Sequence, residues 1–71
     1  MAAAVSEGVV VSFDTARGLG EIEDGEGRRF LFHCTRIAGG TRTIPVGAKV
    51  EFVVVPGLPG RWEASDIRSR G

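Results

Sequence analysis

The 71-residue chain carries nine basic and nine acidic side chains, and 42% of its residues are apolar. This composition is ordinary for one small soluble domain, and a net charge of zero gives no global attraction to nucleic acid or to a membrane. One cysteine excludes an intrachain disulfide and cannot form a zinc site alone, and residues 1–7 lack the basic segment and long apolar run of a signal peptide. We therefore expect a cytoplasmic protein that binds no cofactor, metal or membrane.

Five short runs rich in β-branched and aromatic residues, separated by glycine-rich turns, predict five β-strands and no α-helix. Because closing a small sheet on itself removes its edges, the predicted fold class is all-β, a five-stranded antiparallel barrel. The domain should cover residues 7–68, between a loose tail at 1–6 and a frayed end at 69–71. The predicted strands are 8–13, 18–23, 28–33, 49–55 and 62–67, with room for one 3₁₀ turn at 35–38.

Period-two alternation assigns the side chains of the second and third strands to two faces. The large apolar residues Ile22, Phe30 and Phe32 must face inward, and Gly18 and Gly20 then face inward with them. The outward face of this hairpin is therefore Leu19, Glu21, Leu31 and His33. The predicted core comprises Ile22, Phe30, Phe32, Ile37, Val50, Phe52, Val54 and Ile67.

Three segments carry a resemblance to a known family. Residues 8–14 are Gly-Val-Val-Val-Ser-Phe-Asp, residues 17–22 are Arg-Gly-Leu-Gly-Glu-Ile, and residues 30–34 are Phe-Leu-Phe-His-Cys. In order and spacing they resemble the bacterial cold-shock domain, whose patterns are Gly-x-Val-Lys-Trp-Phe-Asn, Lys-Gly-Phe-Gly-Phe-Ile and Val-Phe-Val-His-Phe. The resemblance spans residues 8–67 and implies an OB-fold barrel that binds single-stranded RNA or DNA, in a family associated with the stress response.

The surface aromatic residues on which this family stacks bases are mostly replaced here. Stacking contributes about 1–3 kcal/mol per base, so their loss predicts weakened or altered binding. Glu21 also places a negative charge beside the phosphates. The replacements are Ser12 for a tryptophan, Leu19, Glu21, Leu31 and Cys34 for phenylalanines, Val11 for a lysine, and Thr41 at a loop position that is often aromatic.

The resemblance implies a set of contact residues, although each also has an ordinary structural interpretation. Phe13, Leu19 and Leu31 would form an apolar strip beneath the bases, with Phe13 half in the core, and His33 would stack on a base or contact a phosphate. Arg17 takes a family lysine position and would bind phosphate. Two further arginines would add charge along the same groove, or be solvated loop residues. The predicted nucleic-acid-binding residues are thus Phe13, Arg17, Leu19, Leu31, His33, Arg36 and Arg42.

No group of residues indicates catalysis. His33 is the only histidine, and it has no accompanying serine–aspartate or cysteine partner set. Cys34 is adjacent to it, but neighbouring strand residues point to opposite faces, which argues against a hydrogen-bonded dyad. The carboxylates within residues 21–26 predict a solvated acidic hairpin tip rather than a metal site. We therefore expect a binding protein and not an enzyme.

Two questions stay open from the sequence. The face that lost its aromatic residues would also suit contact with another protein or with a second copy of the chain. The alternative function is therefore a protein-interaction module on an OB-fold that has lost nucleic-acid binding. Trp62, the only tryptophan, either caps the end of the barrel or serves as a relocated aromatic residue for stacking or for a partner.

Overall fold

Five strands close into a barrel in the computed structural model, which describes residues 5–57 and 61–70. The elements are β1 (Val5–Asp14), β2 (Leu19–Asp24), β3 (Arg29–His33), a 3₁₀ turn (Cys34–Arg36), β4 (Lys49–Pro56) and β5 (Trp62–Ser69). The strands follow the order β1-β2-β3-β5-β4, and β4 pairs with β1 to close the cylinder. The predicted five-stranded barrel is confirmed. One ladder, between β3 and β5, is parallel rather than antiparallel.

The sheet extends beyond the predicted strands at both of its ends. Val5 and Ser6, which the sequence assigned to the N-terminal tail, are the first residues of β1 and pair with β4. Ser69, assigned to the C-terminal tail, pairs with Val50 of β4. Parts of both predicted tails (residues 1–4 and 71) and of the predicted turn before β5 (residues 58–60) lie outside the described residues.

The barrel encloses one apolar core. The core residues predicted from alternation are buried, apart from Val54, which packs only partly against the others. Val10, Ile44 and Ala64 are buried as well. Val10 lies in a run of three valines without alternation, and a bulge before Ser12 shifts the register of β1. Ile44 comes from the connection between β3 and β4, where no strand period marks a buried side chain.

Gly20 lets two aromatic rings meet across the middle of the sheet. It pairs with Phe13 on one side and with Phe32 on the other, so the three residues form one row across β1, β2 and β3. The rings of Phe13 and Phe32 stack over this row, with centroids 6.0 Å apart and an interplanar angle of 17°. A Cβ atom on Gly20 would lie 2.5 Å from Cζ of Phe32. The glycine that alternation placed inward is therefore required by close packing.

Candidate nucleic-acid interface

The outward residues of the β2–β3 hairpin form a small surface, here called the platform face: Leu19, Glu21, Leu31 and His33. Leu19 pairs directly with His33, and Glu21 pairs with Leu31, so the four side chains lie on one side of the sheet. Leu19 is 43% exposed, whereas Phe30 and Phe32 are buried on the opposite side. The predicted orientation of the hairpin is confirmed.

The His33 ring is held in place by the turn that follows it. His33 ends β3 and caps the 3₁₀ turn, where its Nδ1 accepts the backbone N–H of Thr35 at 3.3 Å. The Thr35 hydroxyl lies 3.0 Å from the same nitrogen. The ring is thus oriented beside Leu19, with Nδ1 turned toward the 3₁₀ turn.

Cys34 does not follow the strand alternation that the sequence analysis assumed. It is the first residue of the 3₁₀ turn and not a strand residue, so strand alternation does not apply to it, although it does pack partly against the core. Its Sγ lies 3.9 Å from Nδ1 of His33, while the Thr35 amide already donates to that nitrogen. Gly18 packs against this sulfur, since a Cβ there would lie 2.9 Å from Sγ. The thiol therefore fills space beside the core.

A groove of about 770 Å³, here called the loop groove, runs between the β1–β2 turn, the end of β3 and the long connection. Arg17, His33 and Arg42 all line it, as does Thr41. Arg17 is exposed in the β1–β2 turn, where Oδ1 of Asp14 accepts the backbone N–H groups of residues 16 and 17 at 3.0 and 3.2 Å. The structure thus brings together three of the seven predicted binding residues, two of them cationic.

The remaining predicted residues lie around this groove rather than in it. Leu19 and Leu31 belong to the platform face. Phe13 is half-buried, and its ring packs on Phe32 at the edge of the core. Arg36 ends the 3₁₀ turn and donates from Nη1 to Oγ of Ser65 at 3.4 Å, which places it toward β5.

Glu21, the negative charge on the platform face, has polar neighbours on both sides. The Ser12 hydroxyl donates to its Oε1 at 3.4 Å, and Nη1 of Arg29 lies 3.9 Å from the same oxygen. Arg29 was missed in the sequence analysis. Its position two residues before Leu31 on β3 already places it on the outward face, so alternation could have found it. The arginine lessens the repulsion that Glu21 would exert on a phosphate.

Asp24 organises the turn at the acidic hairpin tip. Its Oδ1 accepts the backbone N–H groups of Glu26 and Arg28, each at 2.9 Å, and its Oδ2 accepts Nε of Arg28 at 2.9 Å. Partial desolvation raises the pKa of Asp24, but these hydrogen bonds and the Arg28 charge outweigh it and hold the pKa below its usual value. In the described part of the chain, no three His, Cys, Asp or Glu side chains are grouped to hold a metal ion.

A second groove, of about 550 Å³, lies on the other side of Leu31 and is here called the barrel-end groove. Its lining includes Glu21 and Leu31 of the platform face, together with Arg29, Arg61 and Trp62. The sequence could not place these groups together, because the single parallel pair between β3 and β5, Leu31 with Glu63, is what brings them near each other. The platform face therefore lies between two grooves.

A closed five-stranded barrel in this strand order, with an exposed face on β2 and β3, defines a domain of the OB-fold class. The model of the 'Cold-shock' DNA-binding domain matches residues 6–69, and the chain belongs to this family. Cold-shock domains form a nucleic-acid-binding family and not a family of enzymes. No curated protein sequence shows significant similarity to the chain. Across residues 5–57 and 61–70, no helix has the length and apolar character to cross a membrane.

Proposed function

We propose that this chain binds single-stranded RNA or DNA along the platform face and the loop groove, with low affinity for a domain of this fold. The observation that carries the proposal is the continuity of the two surfaces. His33 belongs to both surfaces, so a nucleic-acid strand that lies over Leu19 and Leu31 would pass directly to the two arginines of the loop groove. Apolar contact under the bases and cations beside the phosphates are the two parts of a single-strand site.

Phosphate contacts are assigned to Arg17 and Arg42. Both are exposed and both line the loop groove. Arg17 also lies 3.9 Å from Asp14, a long contact between two exposed groups that a phosphate can replace at little cost. Arg36, nearer β5, would serve a longer strand.

Low affinity follows from the side chains that the platform face carries. Leucine offers apolar area to a base but no π-system, and each stacked base is worth about 1–3 kcal/mol. Phe13 keeps a ring, but that ring packs on Phe32 and its stacking surface is partly used within the protein. Glu21 remains a negative charge on the path of the nucleic-acid strand, and Arg29 at 3.9 Å lessens its repulsion of the phosphates.

The test is fluorescence anisotropy with labelled oligo-dT and with mixed-sequence RNA, each across a salt series. We expect saturable binding. The logarithm of the association constant should fall with the logarithm of the salt concentration, with a slope of about −0.7 for each phosphate neutralised. A duplex of the same sequence is the control and should bind more weakly, since its bases cannot reach the platform face. The proposal fails if no binding occurs at high micromolar protein in low salt.

Exposed leucine on the platform face also favours the alternative of a protein-contact surface. Leu19 is 43% exposed and lies one strand from Leu31, on a chain with no net charge. Light scattering after size exclusion tests this alternative with a second copy as the partner. A dimer that Leu19→Ser and Leu31→Ser both dissociate would support it, whereas a monomer that binds oligonucleotide would exclude it.

A further inference from the structure

Trp62 is the largest side chain of the barrel-end groove and is 60% exposed. By alternation it shares a side of β5 with Ala64, which is fully buried, but it lies at the first position of the strand, beyond the core. Its backbone pairs with Pro56, and the N–H of Gly57 donates to the carbonyl of Arg61 at 3.0 Å. The indole is therefore projected over the barrel end from a fixed strand terminus, and its exposure does not come from a loose loop.

The groups around this indole are cationic. Arg28, Arg29 and Arg61 line the same groove, and Glu21 is the only acidic residue of that lining in the described part of the chain. Arg28 is held by Asp24 and Glu26 at 2.9 and 3.0 Å, whereas the nearest carboxylate oxygens to Arg29 lie 3.9 and 4.0 Å away. Arg29 can therefore turn to a phosphate more readily than Arg28 can. A flat ring beside cations has the chemistry of a base-stacking site next to a sugar–phosphate backbone.

We propose that Trp62 stacks on a base of the bound single strand at the barrel-end groove, with Arg29 and Arg61 on the adjacent phosphates. The inference rests on the proposed function and extends the path of the bound nucleic acid beyond the platform face. Leu31 belongs to both the platform face and the barrel-end groove, so one strand can run from the loop groove over the leucines to the indole. A ring at this position supplies stacking that the platform face itself lacks.

The first measurement uses Trp62 as its own reporter, since the chain has no other tryptophan. Unlabelled oligo-dT of about eight nucleotides, within the site size of one OB fold, is titrated into the wild-type protein while indole emission is recorded. We expect saturable quenching with the same dissociation constant that anisotropy gives for the labelled oligonucleotide. Quenching should disappear at the salt concentration that abolishes the anisotropy change.

The second measurement compares variants of this position by anisotropy. Trp62→Leu keeps apolar bulk but removes the π-system, and should weaken binding by about 5- to 30-fold. Trp62→Phe keeps a ring and should retain most of the affinity. Val46→Ala is the matched control, because Val46 is similarly exposed (62%) and lines neither groove. Circular dichroism and thermal unfolding check that each variant is folded. If Trp62→Leu is not folded, Trp62→Phe is the only variant of this position that is compared with wild type.

The outcomes separate this inference from the function on which it rests. If wild-type protein binds oligonucleotide, but its emission does not change or Trp62→Leu binds as tightly, the inference is overturned and the proposed function stands. If only Trp62→Phe is folded, two results together support the inference: this variant binds as tightly as wild type, and the oligonucleotide quenches the indole emission of the wild-type protein. The inference is overturned if the wild-type emission is not quenched. If anisotropy detects no binding at all, both proposals fail together.

Discussion

Gly20 lies between Phe13 and Phe32 in one row across the sheet, and the requirement for glycine at this position can be tested. Gly20→Ala should lower the free energy of unfolding by about 1–3 kcal/mol. The reason is steric, because the added Cβ would lie 2.5 Å from Cζ of Phe32 and 2.8 Å from the carbonyl oxygen of Ser12. Urea denaturation measures the change. Gly25→Ala is the control, since a Cβ there meets no atom within 4 Å, and an equal loss in both variants would contradict the explanation.

Leu31 is the residue at which the platform face can be restored. Leu31→Phe should raise the affinity for oligo-dT by about 5- to 30-fold, because it returns one stacking ring to an outward position of β3. Anisotropy titration of the variant against wild type gives the ratio directly. Val46→Phe adds a ring at an exposed position outside both grooves and should leave the affinity unchanged. An unaltered affinity in Leu31→Phe would remove the platform face from the binding path.

The β2–β3 hairpin depends at its tip on one carboxylate. Asp24 accepts two backbone N–H groups and the Arg28 guanidinium, so its ionised form is favoured in the folded chain. The pKa of Asp24 therefore lies below its ordinary value of 3.8, although partial desolvation acts in the opposite direction. A folded-state pKa below the unfolded one stabilises the fold above the unfolded pKa, and this contribution is lost as the pH falls through the folded value.

Asp24→Asn removes this charge and keeps an oxygen acceptor for the backbone. The variant should be less stable than wild type near neutral pH, and the difference in the free energy of unfolding should shrink as the pH falls below about 3.8. Urea denaturation at a series of pH values measures the difference. Glu26→Gln, which alters the exposed neighbour of the same turn, should show a much smaller dependence. A gap between wild type and Asp24→Asn that stays constant with pH would exclude the titration of Asp24 as its cause.

Local pattern predicted the strands and their faces because both depend on neighbours in the sequence. The alternation of Leu19 with Gly20, and of Leu31 with Phe32, was enough to separate the platform face from the core. Two kinds of information were out of reach. No residue type in the sequence marks the bulge that shifts the register of β1 after Val10. The parallel pairing of β3 with β5 joins segments about thirty residues apart, so no local pattern indicates it. The barrel-end groove follows from that pairing, so its aromatic ring and cations could not be assigned to one site.

Across the whole molecule, the net charge of zero means that the placement of charge must provide any attraction to a phosphate backbone. Arginines concentrate along the two grooves that flank the platform face, at residues 17 and 42 on one side and at residues 28, 29 and 61 on the other. Other arginines are paired elsewhere on the barrel, Arg68 with Asp66 at 3.3 Å and Arg70 with Glu7 at 2.8 Å. The chain thus offers matched sets of cations inside and outside the proposed path.

These sets allow global and local electrostatics to be separated. The double variant Arg17→Ala/Arg42→Ala should reduce the slope of log affinity against log salt by about 1.4, which is 0.7 for each phosphate that is no longer neutralised. Arg68→Ala/Arg70→Ala changes the net charge by the same two units but removes no cation from either groove, so its slope should match that of wild type. Anisotropy titrations at several salt concentrations measure all three slopes. If both double variants lower the slope equally, attraction depends on total charge, and the loop groove is not where the phosphates bind.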